Sequence, residues 1–191
     1  MLHDFLRHIN TIYPVSDGLR DGLMLQTEFV EIPRRTHLLR EGQRADHAWM
    51  ILQGVMRAYY LKDGQEVCSS FMQEKQLVIS VNSFYSRQPG YEFIETLEDT
   101  LVVRLHYDQL QRLLKAHMEF NFIVRVLTER YTMLSEERLF LLRKQTAEER
   151  YLYVLEHDPE LLHRVPLKYI ATFLGMNLET LSRIRKKLSA G

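Results

Sequence analysis

The residues best suited to chemistry lie in one run near the end of the chain, Leu178-Glu179-Thr180-Leu181-Ser182-Arg183, followed by Lys186 and Lys187. Leu181, Ile184 and Leu188 are spaced i, i+3, i+7, so on a helix they form an inward stripe. Leu178, Glu179, Thr180, Ser182, Arg183, Lys186 and Lys187 then fall away from it. A glutamate can accept from cytosine N4, and an arginine can pair with guanine O6 and N7. The lysines suit phosphates, as does Lys168 near the start of the preceding helix. Chemistry of this kind reads double-stranded DNA and needs no catalyst.

Residues upstream are suited to position that run. Pro166 can begin a helix, where its missing N–H costs nothing. Ala171 is small where a second helix must cross closely, and Gly175 permits a sharp turn with positive φ. Asn177 is a good N-cap for the next helix. Together these define a helix-turn-helix whose second helix enters the major groove. A solvated helical hairpin inside a larger core is the plainer alternative, and the joint occurrence of proline, alanine, glycine, cap and basic face argues against it.

The formal net charge of the 191 residues is zero, so the chain as a whole is no polycation. Its distribution is uneven. Residues 143–191 carry nine basic side chains against six acidic, and residues 1–142 carry 16 against 19. An anionic partner is therefore expected at the C-terminal end. The single cysteine, Cys68, excludes an internal disulfide and reads as a small buried hydrophobe in a strand. No stretch is long and apolar enough to span a bilayer, so no membrane association and a cytoplasmic location are expected.

Residues 2–12 and 15–25 have helical spacing. From Thr27 to about Leu105, short apolar runs alternate with turn signals, including Asp63-Gly64 and Pro89-Gly90. This pattern predicts an antiparallel β-roll within an α+β fold. A short helix is expected near 107–114 and another at 147–157, with Leu152 and Leu155 apolar. Between them, about 118–144 is free of Pro and Gly. Phe120, Leu127, Leu134 and Leu141 recur every seven residues there, with Val124, Tyr131 and Arg138 four residues after the first three. That spacing is a heptad seam interrupted by Arg138, and a homodimer is expected along it. A second row, Ile123, Val126, Met133 and Phe140, is expected to cover the β-roll. The division expected is a sensor domain at 1–117, a dimerisation helix at 118–144 and a DNA-binding domain at 145–191.

The segment Pro166–Leu188 resembles the helix-turn-helix of the Crp/Fnr family, the catabolite-activator-like transcription regulators. The family's recognition helix carries Arg-Glu-Thr-x-x-Arg, and this chain matches its Glu179 and Arg183 while Leu178 departs. Leu39-Arg40-Glu41-Gly42 resembles the family's glycine turn in the roll. The resemblance implies a β-roll, a dimerisation helix and a DNA-binding domain in that order. It also implies a β-wing after the recognition helix, which is expected to be missing because the sequence stops three residues past Leu188. Members that bind a cyclic nucleotide carry Gly-Glu and then an Arg with a small hydroxyl residue. Between Gln76 and Glu95 there is no Gly-Glu, and Gly90, Tyr91 and Glu92 stand where the arginine would fall. Response to cyclic AMP is therefore not expected. An unidentified small-molecule effector is left room, with Ser83, Phe84, Arg87 and Tyr91 as its expected pocket.

The eight histidines make no metal-binding pair by spacing, and no phosphate-cradling loop or nucleophile motif occurs. No catalytic residue, metal or cofactor is expected. Two other readings remain open at this stage: a β-roll signalling module that does not bind DNA, and a β-roll metalloenzyme.

Overall fold

The structure is a computed structural model that describes residues 2–144 and 146–189. The expected boundary at 145 lies outside the described residues. Two compact units are present, residues 2–58 with 71–132, and residues 59–70 with 133–189. This grouping differs from the expected three-part division. The tip of one hairpin belongs with the C-terminal helices, and the long helix is shared between the units.

The first unit starts with α1 (Leu2–Ile12) and α2 (Asp17–Gln26), where Ser16 caps α2 by accepting from Leu19 N–H at 3.1 Å. Eight strands follow: β1 (Glu28–Ile32), β2 (His37–Leu39), β3 (His47–Gln53), β4 (Met56–Lys62), β5 (Gln65–Met72), β6 (Leu77–Val78), β7 (Phe93–Thr96) and β8 (Thr100–His106). They form two four-stranded sheets, in the orders β1-β8-β3-β6 and β2-β7-β4-β5. That double order is a jelly roll, the expected β-roll. Asp63 and Gly64 both take positive φ, 53° and 76°, as a two-residue hairpin between β4 and β5 requires. Gly42, in the glycine turn noted above, has φ +79°. The short strand β6 and the helix α3 (Val81–Ser86) after it have no clear signature in the sequence.

The first sheet is apolar on both faces. Ala48, Trp49, Met50 and Ile51 of β3 are all buried, as are Val102 and Val103 of β8. One face meets the roll interior and the other is covered by helices. Phe5 and Ile9 of α1, Leu19 and Leu23 of α2, Leu110 and Leu113 of α4 (Tyr107–Ala116), and Phe120 and Ile123 of α5 (Met118–Lys144) join the same apolar cluster. His106 and Gln109 form a capping box that starts α4.

This burial follows position along α5 and not the expected division between two faces. Phe120 is only 5% exposed, and Val124, Leu127 and Tyr131 pack against the cluster. Four of the seven expected seam residues are therefore used within their own subunit. Of the row expected to cover the roll, Ile123 does so, but Met133 is 69% and Phe140 53% exposed. Both rows are thus buried early in α5 and exposed later, where Leu134 of the expected seam is 52% exposed, and the period alone does not say which positions pack. The same ambiguity recurs in α6 (Ala147–His157), where Tyr151 and Val154 are buried and the expected Leu152 and Leu155 are largely exposed.

The second unit holds the β4–β5 hairpin tip, the distal part of α5, α6, α7 (Pro159–Arg164), α8 (Leu167–Phe173) and α9 (Leu178–Ser189). Arg138 points into this unit. Its Nη2 donates to the carbonyl oxygens of Cys68 at 3.1 Å and Phe173 at 3.0 Å, and its guanidinium lies 4.1 Å from the Phe173 ring centre. Burial lowers its pKa from the usual guanidinium range. Arg138 is thus no break in a dimer seam but an internal tie between the hairpin and α8. Cys68 is fully buried, as expected, and its N–H donates to Thr172 Oγ1 at 3.2 Å.

Candidate nucleic-acid interface

The turn between α8 and α9 is built from backbone hydrogen bonds. Met176 N–H donates to Ala171 O at 3.0 Å and Gly175 N–H to Thr172 O at 3.1 Å. With Gly175 at φ +65°, this is a Schellman ending, which satisfies carbonyls that the helix end would leave unpaired. Asn177 then starts α9, its Oδ1 accepting from Thr180 N–H at 2.8 Å. Pro166 stands one position earlier than expected, capping α8 instead of opening it.

The inward residues of α9 are the expected ones. Leu181 and Ile184 are buried and Leu188 is half-buried, and α8 contributes Ile170 and Ala171 to the same core. Leu178, Glu179, Ser182, Arg183 and Lys186 are exposed, while Thr180 is half-buried. Arg183 Nη2 donates to Thr180 Oγ1 at 3.3 Å, which orients the guanidinium along the outer face. Lys168 is exposed on α8 with its ammonium 4.6 Å from the Tyr169 ring centre. Lys187 is exposed as well but carries an ion pair. Its Nζ lies 2.9 and 2.8 Å from the two carboxylate oxygens of Glu148 on α6. The acid partner was invisible in the sequence because it lies 39 residues upstream.

The four residues expected to form an effector pocket do not line one cavity. Phe84 is fully buried in the apolar core, and Tyr91 is 57% exposed. Ser83 is committed to structure, its hydroxyl donating to Gln88 O at 2.6 Å and accepting from Ala45 N–H at 2.9 Å. Arg87 donates to Ala45 O at 2.8 Å and Phe84 O at 3.2 Å, pairs with Asp46 and stacks on Tyr107. It lies at the wall of an open cleft with Arg44, Asp46 and His47. Asp46 is partly desolvated, which by itself raises its pKa, but Arg44 and Arg87 outweigh this and hold it below the usual carboxylate range.

Sequence reasoning missed Arg57. It is 2% exposed on β4, and its Nε and Nη2 lie 2.9 and 2.6 Å from Glu95 Oε2 on β7. By strand alternation this pair sits on the opposite face from Met56, Ala58 and Ile94, which belong to the apolar core. Glu92 accepts from the Ser80 hydroxyl at 2.7 Å. Across β3 and β8, His47 and His106 are register partners with ring centres 5.2 Å apart, a proximity their sequence spacing hides. Among the described residues no group of three metal-binding side chains occurs, and no helix is long and apolar enough to cross a membrane.

A jelly roll, a helix of 27 residues and a capped helix-turn-helix follow one another along the chain and define a class by architecture. Comparison with known proteins agrees. Residues 29–117 match the cyclic nucleotide-binding domain family. The chain has the fold of Crp/Fnr transcription regulators. FixK2 from Bradyrhizobium japonicum is similar with a TM-score of 0.72 and 21% identity, over 86% of this chain and 85% of that one. The global regulator CLP of Xanthomonas campestris, described as responsive to c-di-GMP, has a TM-score of 0.72 and 18% identity over 92% of each chain. The catabolite activator protein of Thermus thermophilus has a TM-score of 0.56 and 18% identity, over 94% of this chain and 86% of that one. No curated protein sequence matches.

Proposed function

We propose that the chain is a homodimeric, sequence-specific DNA-binding transcription regulator without catalytic activity. The observation that carries this reading is the outer face of α9, where Glu179, Ser182, Arg183 and Lys186 stand exposed on a helix with a defined cap. Glu179 and Arg183 read base edges, and Lys186 and Lys168 contact phosphates. Leu178, 45% exposed at the start of α9, offers an apolar contact where the family has arginine, such as to a thymine methyl. The dimer seam lies along the second half of α5, where Met133, Leu134 and Phe140 are each more than half exposed.

The regulator does not respond to cyclic AMP in the usual way. A cyclic phosphate needs a cation free to pair with it, since an unpaired buried charge is costly. Arg87 is engaged by Asp46 and two carbonyls, and Arg57 by Glu95.

Selection of bound duplexes from a random pool tests the reading. The expected result is a two-fold site with half-sites about one helical turn apart. Arg183→Ala should relax preference at one base position per half-site, with a loss of about 1–3 kcal/mol on the selected site. A pool that yields no preferred sequence, or an Arg183→Ala protein that selects the same site equally well, overturns it.

A further inference from the structure

The apolar cluster of the first unit lines a partly open cavity of about 80 Å³ between the first sheet and the helices that cover it. Its walls include Ile9 of α1, Met50 of β3, Val103 of β8 and Leu110 of α4. A large part is contributed by the first half of α5, through Phe120, Ile123, Val124 and Leu127. No charged residue lines it. Two hydroxyls do, but each is already committed: Thr27 donates to Leu23 O at 2.7 Å and Thr128 to Val124 O at 2.8 Å. Tyr85, the remaining phenol, is about half exposed.

These features select the occupant. A buried water needs two to four hydrogen-bond partners, and with both threonine hydroxyls engaged this largely apolar wall offers few, so it favours apolar guests. The volume is roughly two to three times a water's share of the liquid, so the guest has few heavy atoms. A charged or strongly polar ligand would lose its hydration without replacement. We propose that this cavity binds a small neutral molecule without hydrogen-bonding groups, of the size of a dissolved gas or a short hydrocarbon, and is the effector site of the regulator. The effector role rests on the function proposed above. Filling the cavity supports Phe120, Ile123 and Leu127 from below and so fixes the packing of the helix that also carries Met133 and Phe140. Close-packed interiors shift between discrete arrangements rather than deform smoothly, so a small guest suffices to select one.

The test uses the full chain, with xenon as probe of the site and propane as probe of the effector role. Trp49 lines the cavity and is the only tryptophan, so its emission reports occupancy alongside the xenon-129 chemical shift. The expected result is a saturable xenon response that is lost in Leu127→Phe and in Val124→Leu and kept in Tyr91→Ala. Val124→Leu adds a single methylene at a half-buried position, so it serves if the bulkier variant does not fold. Propane should change the affinity for the selected duplex by about fivefold, the lower range of allosteric coupling, in the parent but not in Val124→Leu. A xenon response that is equal in the parent and in the filled variants overturns the site. Xenon uptake with duplex affinity unchanged by propane overturns the effector role. Xenon uptake by a protein that selects no duplex refutes the proposed function and supports the site.

Discussion

Lys187 is clamped by Glu148: its ammonium lies within 3 Å of both carboxylate oxygens, which bridges α9 to α6. Both lysines are exposed, but Lys187 must leave its partner before it can neutralise a phosphate, whereas Lys186 need not. The two lysines, equivalent in the sequence, should therefore differ. Lys186→Ala is expected to lower affinity for all duplexes and reduce the salt slope by about 0.9, the effect of one phosphate contact. Lys187→Ala should change the slope by clearly less. Glu148→Gln should raise affinity and steepen the slope. Binding isotherms across a salt series check this, and equal slopes for both alanine variants would refute the clamp.

Gly175 makes the turn that sets α9. Its φ of +65° disfavours any side chain, and an added Cβ would stand 3.1 Å from Leu142 Cδ2. Gly175→Ala is expected to cost about 1–2 kcal/mol. For a chain of this length that is a fall in Tm of about 2–4 °C per kcal/mol. Duplex affinity should fall with it, since the cap at Asn177 is displaced. A Gly175→Ala protein with unchanged Tm and affinity would remove the turn from the argument.

The two halves of α5 separate folding from association. Phe120→Ala empties a core position and should destabilise the first unit by about 3–5 kcal/mol. Met133→Glu places a charge on the exposed second half, where it should leave the Tm of dilute protein nearly unchanged while shifting the dimer to monomer. Sedimentation across a concentration series distinguishes them. Dimers that persist in Met133→Glu at every concentration would place the seam elsewhere.

His47 should give the first unit a pH dependence. Burial, then Arg104 and His106, lower its pKa below 6.5, against weaker opposing effects from Asp46 and Glu28. Burial acts on His8 in the same direction. A folded pKa below the unfolded one means that the unfolded chain takes up the proton first. The stabilising contribution is thus complete above pH 6.5 and is lost as pH falls through 6.5 towards the folded pKa. Urea midpoints at pH 7.5 and 5.5 should differ less in His47→Gln than in the parent, and an unaltered difference would exclude this histidine.

The helix-turn-helix was legible in the sequence because its determinants are local. Gly175, Asn177 and the Leu181–Ile184 stripe act within a few residues of one another. The jelly roll was legible from its turn spacing, with Asp63-Gly64 as its clearest mark. What escaped depends on distance along the chain. The Arg57–Glu95 pair spans 38 residues, Lys187–Glu148 spans 39, and Arg138 reaches back 70 residues to Cys68. The faces of α5 escaped for another reason. Phe120 and Leu134 lie on one apolar row, and Ile123 and Met133 on the other, and only the extent of the surface presented by the first sheet decides where along each row burial stops.

Cys68 has a practical consequence. The chain's one thiol is buried in β5, so the native protein presents no thiol to maleimides or iodoacetamides. A cysteine introduced at an exposed position such as Ser182 or Tyr91 becomes the sole reactive handle. Spin labels or fluorophores can then be attached at one chosen point, without first stripping the chain of competing sites.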